Sequence, residues 1–400
     1  MTKIPPRLDL ASIAAFFLRI GATGFGGPVA ITNKMRRELV DEKKILTATD
    51  FREAITLAHL MPGPLAIQVA LYIGWRLGGI AGGTVAGICF ILPSFIITVA
   101  IAWGYVAYSG IPQIQAAFHG VAASVAALIL FNSGQLSRGI LGRDRLLWGL
   151  AATAAIITLL QSHEPFLMFL AAGAIYALHK GPMQKRPRIA ALLLILGATG
   201  FLSLAASSSS VAADPAIGSG ASLLDLFFFF FKSGALIFGS GLVIIPFMRE
   251  PLIHDFGWLN AQQFIDAVAV GFMTPGPALI TVAFIGYLVH GMAGALVSSI
   301  GIFSPSWFFT LGAAPFYQRI IRHKTVEHAV AGISAAAVGA IAGAGVIIAR
   351  DALSDTMTWA IALASMFVLV RLRRIPEGIL IGLAACAGIL ADAVSRGRVF

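Results

Sequence analysis

Charged residues are scarce in this chain of 400 residues. Asp, Glu, Lys and Arg make up 12% of it, against 58% hydrophobic residues, and the mean hydropathy is +0.88. A soluble domain carries about 25% charged residues, so this chain cannot cover a globule of its size with polar side chains. A protein embedded in lipid needs no such cover. The shortage excludes a soluble enzyme and a disordered tail, and it predicts a membrane protein.

Cysteine and the usual catalytic motifs are also lacking. The two cysteines, Cys89 and Cys386, lie far apart in apolar segments, which fits neither a disulfide framework nor a metal site. The sequence contains no G-x-x-x-x-G-K-[ST] loop, no H-E-x-x-H, no C-x-x-C and no G-x-S-x-G. These absences predict a protein that is not an enzyme, does not hydrolyse ATP and needs no cofactor.

Basic residues give a formal net charge of +10, but they occur in short clusters between apolar runs. This pattern argues against a nucleic-acid partner and is typical of the cytoplasmic loops of membrane proteins. Four clusters can all face the cytoplasm: Arg138 to Arg145, Lys180 to Arg188, Arg319 to Lys324 and Arg371 to Arg374. The basic loop at 34–52 joins them only if the preceding segment re-enters the membrane without crossing it. The loop at 248–263 suits the outside.

Apolar runs long enough for membrane helices fill most of the chain, since a spanning helix needs about 20 apolar residues. Thirteen candidates lie near 10–31, 54–75, 79–108, 116–133, 146–161, 165–179, 189–206, 222–247, 264–289, 292–317, 326–349, 356–370 and 377–394. Several are interrupted by Pro or Gly. The expected fold is an all-α polytopic membrane protein with about 10–13 membrane segments, some of them broken or re-entrant.

A long internal repeat organises these segments. Residues 17–64 align without a gap with 230–277, an offset of 213, and from Gly74 onward the offset is 212. We therefore expect an N-terminal repeat at 1–188, a connecting helix and loop at 189–221 and a C-terminal repeat at 222–400. An odd number of crossings separates the copies, which predicts that the halves are inverted. Inverted repeats with broken helices are typical of secondary transporters.

Glycine clusters occur at equivalent positions in the two halves. The first contains Gly24, Gly26 and Gly27, and the second contains Gly239, Ser240 and Gly241. One interpretation is an unwound stretch whose backbone N–H groups face a ligand; the other is close helix packing through small residues. Their pairing, with a break at the same interval after each, favours a binding site.

The breaks themselves are Pro62-Gly63-Pro64 and Pro275-Gly276-Pro277. Proline lacks an N–H and disfavours helix at the residue before it, so each break should split its segment into two half-helices. The half-helix after a break presents free N–H groups and a positive dipole end, which can hold an anion within the membrane. A simple kink is the alternative. Gln68 and Thr274, beside the breaks, are candidate hydrogen-bond donors or ordinary packing groups.

Ionisable side chains also occupy equivalent positions. Arg19 and Lys232 are either partners of an anionic substrate or cations that extend to the membrane interface. Glu53 and Asp266 are either proton carriers or acids stabilised by a helix dipole. His59, beside the first break, is a third candidate for proton coupling.

With these motifs placed, the chain resembles the chromate ion transporter (CHR) family, long-chain two-domain type. The motifs that show this resemblance are Gly24-Phe25-Gly26-Gly27-Pro28, Met61-Pro62-Gly63-Pro64 with Gln68, and Phe90-Ile91-Leu92-Pro93-Ser94-Phe95. In the second half Ser304-Pro305-Ser306-Trp307 departs from the last motif. Met61 stands where the family leads us to expect Leu.

The resemblance implies a multi-pass protein of the bacterial cytoplasmic membrane that exports chromate, driven by the proton-motive force, with sulfate as the look-alike anion. The residues alone indicate only that the protein is a secondary transporter of an anion. A transporter of sulfate or another oxyanion, and an anion channel, remain alternatives. The expected partners are the small oxyanion and the lipid bilayer, and both a monomer and a homodimer stay open.

Overall fold

The computed structural model describes residues 8–25, 27–108, 111–160, 166–180, 221–239, 241–316, 324–372 and 376–395. In these ranges five helices are long and apolar enough to cross a membrane, and four shorter helices are also apolar. The all-α polytopic membrane fold predicted from the composition is confirmed. The candidate segment at 189–206 lies outside the described residues, as does the connecting region at 189–221 except for Ala221.

The described residues of the first half form seven helices. They are α1 (Leu10–Thr23), α2 (Gly27–Arg36, continued by a π-helical turn at Arg37–Glu42), α3 (Ala48–Leu60), α4 (Leu65–Tyr108), α5 (Pro112–Leu141), α6 (Arg145–Leu160) and α7 (Phe166–Lys180). A two-residue strand, β1 (Gly63–Pro64), lies between α3 and α4.

The second half repeats this order in its described residues. Its helices are α8 (Leu223–Ala235), α9 (Ile244–Glu250, continued by a π-helical turn at Pro251–Asp255), α10 (Ala261–Met273), α11 (Thr281–Ala313), α12 (Lys324–Ala352), α13 (Thr356–Arg371) and α14 (Glu377–Ser395). The strand β2 (Phe238–Gly239) lies between α8 and α9, and a 3-10 turn, Ala278–Ile280, precedes α11.

Helices α4 and α11 each fold back on themselves. In α4 the chain reverses at Gly78 and Gly79, where Gly79 has a positive φ of 67°. A Cβ atom on Gly74 would lie 2.5 Å from the Cβ of Ala86, whereas twelve residues of straight helix span about 18 Å. The same reversal occurs in α11 at Gly291. We call the parts α4a (65–77), α4b (80–108), α11a (281–289) and α11b (292–313).

Helices α3 and α4a form an antiparallel hairpin. Arg76 donates to Asp50 at 3.0 Å and Tyr72 donates to Glu53 at 3.2 Å, so the two helices run antiparallel and both open ends lie on the same side. A helix of 13 residues is about 20 Å long, less than the roughly 30 Å of the hydrocarbon core. The hairpin is therefore too short for its tip at Gly63 to reach across the core.

Helices α1 and α2 form a second hairpin of this kind, with its tip at Gly24. Arg19 pairs with Glu38, and the Lys34 ammonium donates to the Thr23 hydroxyl at 2.6 Å. Their sequence equivalents α8 and α9, and α10 and α11a, supply two hairpins to the second half.

Helix-capping residues define where these hairpins begin. Thr47 and Asp50 form a capping box at the start of α3, and Asn260 forms one at the start of α10. Each box satisfies backbone donors that would otherwise stay unpaired at the helix start. At the other end, the proline of each break cannot donate a helical hydrogen bond, so the helix ends there.

The two halves interlock. Helix α5 of the first half packs against α13 and α14, while α12 of the second half packs against α6 and α7. Helices α4b and α11b also cross each other: a Cβ atom on Gly83 would touch Leu311, and one on Gly87 would touch Trp307. Because the number rises along one helix as it falls along the other, these equivalent helices run in opposite directions.

Close backbone packing holds α1 against α4b. A Cβ atom on Gly21 would clash with the carbonyl oxygen of Phe90, and the equivalent Gly234 would clash with that of Ile302. A Cβ on Gly104, also in α4, would meet no heavy atom within 4 Å.

We expect Gly21→Ala to lower the thermal unfolding temperature of the detergent-solubilised protein, because overpacking typically costs about 1–3 kcal/mol. Gly104→Ala is the matched control and should leave stability unchanged or slightly higher, since Ala favours helix over Gly. Equal melting of Gly21→Ala and the parent protein would contradict the close seating of α1 on α4b.

Candidate functional site

The tips of the hairpins meet crosswise at the centre of the protein. The Gly63 N–H donates to the carbonyl oxygen of Ile237 at 2.6 Å, and the Gly276 N–H donates to that of Gly24 at 2.7 Å. Ile237 is the repeat equivalent of Gly24, and Gly276 is that of Gly63. One contact is thus made twice, each time between a break in one half and a glycine-rich tip in the other. We call these four residues the tip junction.

Strand pairing extends one side of the tip junction. Strands β1 and β2 run parallel, with Gly63 opposite Phe238 and Pro64 opposite Gly239. Gly63 has φ +132° and Gly276 has φ +97°, a backbone conformation that side chains other than glycine rarely adopt. The central glycine of each Pro-Gly-Pro motif is therefore required by backbone geometry.

The backbone N–H groups of the two break glycines are already engaged. The N–H groups of Gly63 and Gly276 donate across the tip junction, so in this conformation they do not face a ligand. The helix that starts after each break still has first-turn N–H groups with no partner inside the helix. A ligand would need the first-turn donors, side-chain donors or an opening of the tip junction.

Side chains from α4b and α11b support the breaks. The Ser94 hydroxyl donates to the carbonyl oxygen of Pro275, and a Cβ atom on Gly63 would clash with the hydroxyl of Ser306. Ser306 is the repeat equivalent of Ser94. Gln68 donates to the carbonyl oxygen of Met61 at 3.0 Å, and it also donates to Pro62.

The structure places the other predicted substrate residues as follows. Gly27 and Gly241 begin the helical segments after the glycine-rich tips, and the Thr274 hydroxyl bonds back to the carbonyl oxygen of Val270 at 3.2 Å. Pro277 immediately precedes the 3-10 turn. Gly26 and Ser240 lie outside the described residues.

The predicted cations lie within the hairpins. Arg19 is ion-paired with Glu38 of the same hairpin, and its side chain is 52% exposed. Lys232 is half-buried in the last turn of α8. The positive charge of Arg19 is therefore compensated inside the protein before any substrate binds.

Asp266 is the most buried of the predicted proton carriers, with 2% of its surface exposed. Its carboxylate accepts hydrogen bonds from Tyr105 at 2.9 Å and from Gln262 at 2.8 Å. Tyr105 belongs to α4b of the first half, so the contact joins the two halves. A cleft of about 440 Å³ opens at this position, and its lining includes His119.

Glu53 and His59 occupy the hairpin of the first half. Glu53 accepts from Tyr72, and His59 is exposed near the end of α3. Neither Glu53 nor Asp266 lies in the first turn of its helix, where stabilisation by the dipole is concentrated. The dipole explanation does not account for these acids.

Space beside the tip junction is small. A cavity between the second-half tips, lined by residues such as Gly241 and Phe272, measures about 10 Å³, which holds at most one water molecule. Within the described ranges there is also no group of three or more His, Cys, Asp or Glu side chains that could hold a metal ion. At the tip junction itself, the N–H groups of both break glycines are bonded to the opposite half.

Sequence reasoning missed Thr98, Thr310 and Tyr105, and it quoted Ser94 and Ser306 only as parts of motifs. The repeat offset of 212 pairs Ser94 with Ser306 and Thr98 with Thr310. Because hydroxyl residues recur at equivalent positions in both repeats, this pairing could have identified them from the sequence.

Comparison with known proteins agrees with this architecture. Residues 11–178 and 224–389 match the chromate transporter family. The chain belongs to the chromate transporter family. It is 37% identical over 394 residues to a probable chromate transport protein of Synechococcus elongatus, covering 98% of both chains. No solved structure matches.

Two further relatives have the same description. The chromate transport protein of Cupriavidus metallidurans is 36% identical over 390 residues, covering 96% of this chain and 94% of the relative. The chromate transport protein of Pseudomonas aeruginosa is 32% identical over 343 residues, covering 84% and 80%. The resemblance inferred from the motifs is confirmed.

Gly63→Ala and Gly276→Ala should each abolish chromate transport, because a Cβ at either position is strained and also clashes with Ser306 or Ser94. The matched control is Gly142→Ala, which has φ +53° but no heavy atom within 4 Å of its Cβ. Transport into vesicles and membrane content by immunoblot are compared for all three. Normal transport by Gly63→Ala would remove the first break from the site.

Proposed function

We propose that this protein is a secondary active transporter that exports chromate across the bacterial cytoplasmic membrane, driven by the proton-motive force. The observation that carries the proposal is the tip junction, where two breaks and two glycine-rich tips from opposite halves meet within the membrane. Broken helices at the interface of repeats are the usual substrate sites of secondary transporters. The family relationship supports chromate as the substrate.

We also propose that the two halves have opposite orientations in the membrane. Helices α4b and α5 each cross once, so the open end of the α3–α4a hairpin lies at the same end as Leu141. The neighbouring Asp144 accepts a hydrogen bond from Lys180 at 3.0 Å, which lowers the pKa of Asp144 to about 2. The α10 hairpin opens beside the start of α5, at the opposite end.

Charge assigns these ends to the two sides of the membrane. The end with Arg138, Arg145 and Lys180 also carries the basic 34–52 loop, and it faces the cytoplasm by the positive-inside rule. The condition set by the sequence for that loop is a re-entrant segment before it, and α1 and α2 supply one. The cleft beside Asp266 then opens to the outside.

Transport follows from exchange of hydrogen bonds at the tip junction. A tetrahedral dianion enters between the halves and accepts hydrogen bonds from the first-turn N–H groups of the helices that follow Gly63 and Gly276. Arg19 or Lys232 compensates part of its charge, with Glu38 released from Arg19 as the anion arrives. Movement of one half against the other exposes the dianion to each side in turn.

Asp266 couples this movement to protons. It faces the outer cleft, and its ionised form accepts a hydrogen bond from Tyr105 across the halves. Hydrogen bonds to a charged acceptor are about twice as strong as neutral ones, so protonation weakens this link. Glu53 is the equivalent acid on the inner side, and His59 lies nearby on the same helix.

The decisive experiment measures chromate accumulation in inverted membrane vesicles with and without a pH gradient. Export in the cell corresponds to uptake into these vesicles. We expect uphill uptake that an uncoupler abolishes and that sulfate inhibits only in part. Uptake that merely equilibrates chromate would indicate an anion channel, and stronger counterflow with labelled sulfate would indicate a sulfate transporter.

Asp266→Asn should remove the dependence of chromate uptake on the pH gradient, because the amide cannot carry a proton. Tyr105→Phe should shift the pH at which uptake is half-maximal, because it deletes one hydrogen bond to the Asp266 carboxylate. Tyr108→Phe, at an exposed position of the same helix, is the control and should behave like the parent. An unchanged response in Asp266→Asn would place proton coupling elsewhere.

A further inference from the structure

Buried hydroxyl groups without partners are concentrated on the two equivalent helices that cross beside the tip junction. Among the described residues, the buried side-chain hydroxyls with no hydrogen-bond partner are those of Thr98, Ser298, Ser306 and Thr310. Thr98, Ser306 and Thr310 have no exposed surface at all. A buried donor without an acceptor carries an uncompensated desolvation cost, so each requires an explanation.

Other hydroxyls on α11b and on α6 do have hydrogen-bond partners. Ser299 on α11b donates to the carbonyl oxygen of Ala295 at 2.8 Å, Ser304 donates to Ile300, and Thr158 on α6 donates to Ala154 at 2.9 Å. Such bonds to the preceding helical turn are the ordinary solution for Ser and Thr within a helix. The hydroxyls of Thr98, Ser306 and Thr310 do not make such a bond.

The unpartnered hydroxyls follow the repeat. Thr98 and Thr310 are equivalent. Ser306 is equivalent to Ser94, whose hydroxyl donates to the carbonyl oxygen of Pro275. Ser298 corresponds to Ala86 and has no such pair. Within each helix the Ser and Thr are four residues apart, so they lie on one face. That face touches a break: Ser94 meets Gly276, and Ser306 meets Gly63.

The two pairs lie on opposite sides of the tip junction. Helices α4b and α11b cross antiparallel, so the Ser94–Thr98 pair is displaced toward one end of the protein and the Ser306–Thr310 pair toward the other. Tyr105 is seven residues beyond Thr98, on the same face, and it lines the cleft with Asp266. The first pair therefore lies between the outer cleft and the tip junction.

We propose that the hydroxyls of Thr98, Ser306 and Thr310, together with that of Ser94, bind the transported oxyanion. They bind it at two positions, one on each side of the tip junction. This rests on the proposed function and adds the residues that contact the substrate. A hydroxyl rotates freely and donates one hydrogen bond, which suits the oxygens of a tetrahedral dianion. Neutral donors also bind the anion without a fixed countercharge that would hold it in place.

Isosteric substitution separates a ligand role from a structural role. In Thr98→Val and Thr310→Val the unpaired hydroxyl is replaced by a methyl group of similar shape. The ligand-free protein should therefore melt at the same or a higher temperature. Chromate affinity should fall about tenfold to a hundredfold for each variant, since a hydrogen bond to a charged group is lost. Ser306→Ala should behave in the same way.

The measurement is thermal unfolding of the detergent-solubilised full chain, titrated with sodium chromate and, separately, sodium sulfate. Thr158→Val and Ser299→Ala are matched controls that remove a bonded hydroxyl and should leave chromate affinity unchanged. Parent-like chromate affinity in all three test variants would overturn the inference, as would ligand-free destabilisation with unchanged affinity. A parent protein that binds neither anion would instead refute the proposed function.

Discussion

Backbone hydrogen bonds between the two halves are the constraint on which this structure depends. In the hydrocarbon core no water is available, so an N–H released by a proline break must find an acceptor within the protein. Gly63 and Gly276 find theirs in Ile237 and Gly24, each in the opposite half. A broken hairpin in one half is therefore satisfied only when the other half is present. The packing of α5 and α12 against the opposite half has the same consequence. Buried side chains of the two repeats accordingly belong to one hydrophobic core.

The same contacts that satisfy the backbone close the centre. A glycine with positive φ at each break lets the tips approach until their backbones bond directly, and the cavity left between the second-half tips is no larger than a water molecule. An anion that binds at the tip junction must replace protein acceptors or occupy donors beside them. In the proposed mechanism, an N–H group that leaves its carbonyl partner in the other half donates to the anion instead. The unpartnered hydroxyls of α4b and α11b are further donors for the anion.

The repeated scaffold carries different polar groups on its two sides. In the first half Asp50 pairs with Arg76, whereas the equivalent of Asp50 in the second half is the uncharged Gln263. Asp266 reaches across to Tyr105, whereas Glu53 accepts from Tyr72 of its own hairpin. A protein with equal chemistry on both sides would have no basis for treating them differently. The order of helices repeats along the described chain, and the side chains at equivalent positions differ between the two halves.

The sequence alone determined the membrane class, the repeat with its offset of 213, the positions of the breaks and the family, because each depends on local composition or on matching residues. Only the tertiary structure showed that α1 with α2, and α3 with α4a, form short hairpins, that Arg19 is paired with Glu38, and that each break binds the opposite tip. Those features depend on contacts between residues as far as about 250 positions apart, such as Gly24 and Gly276, and on chain reversals at single glycines. Periodicity and spacing cannot report them, since a crossing helix and a re-entrant hairpin have the same apolar composition.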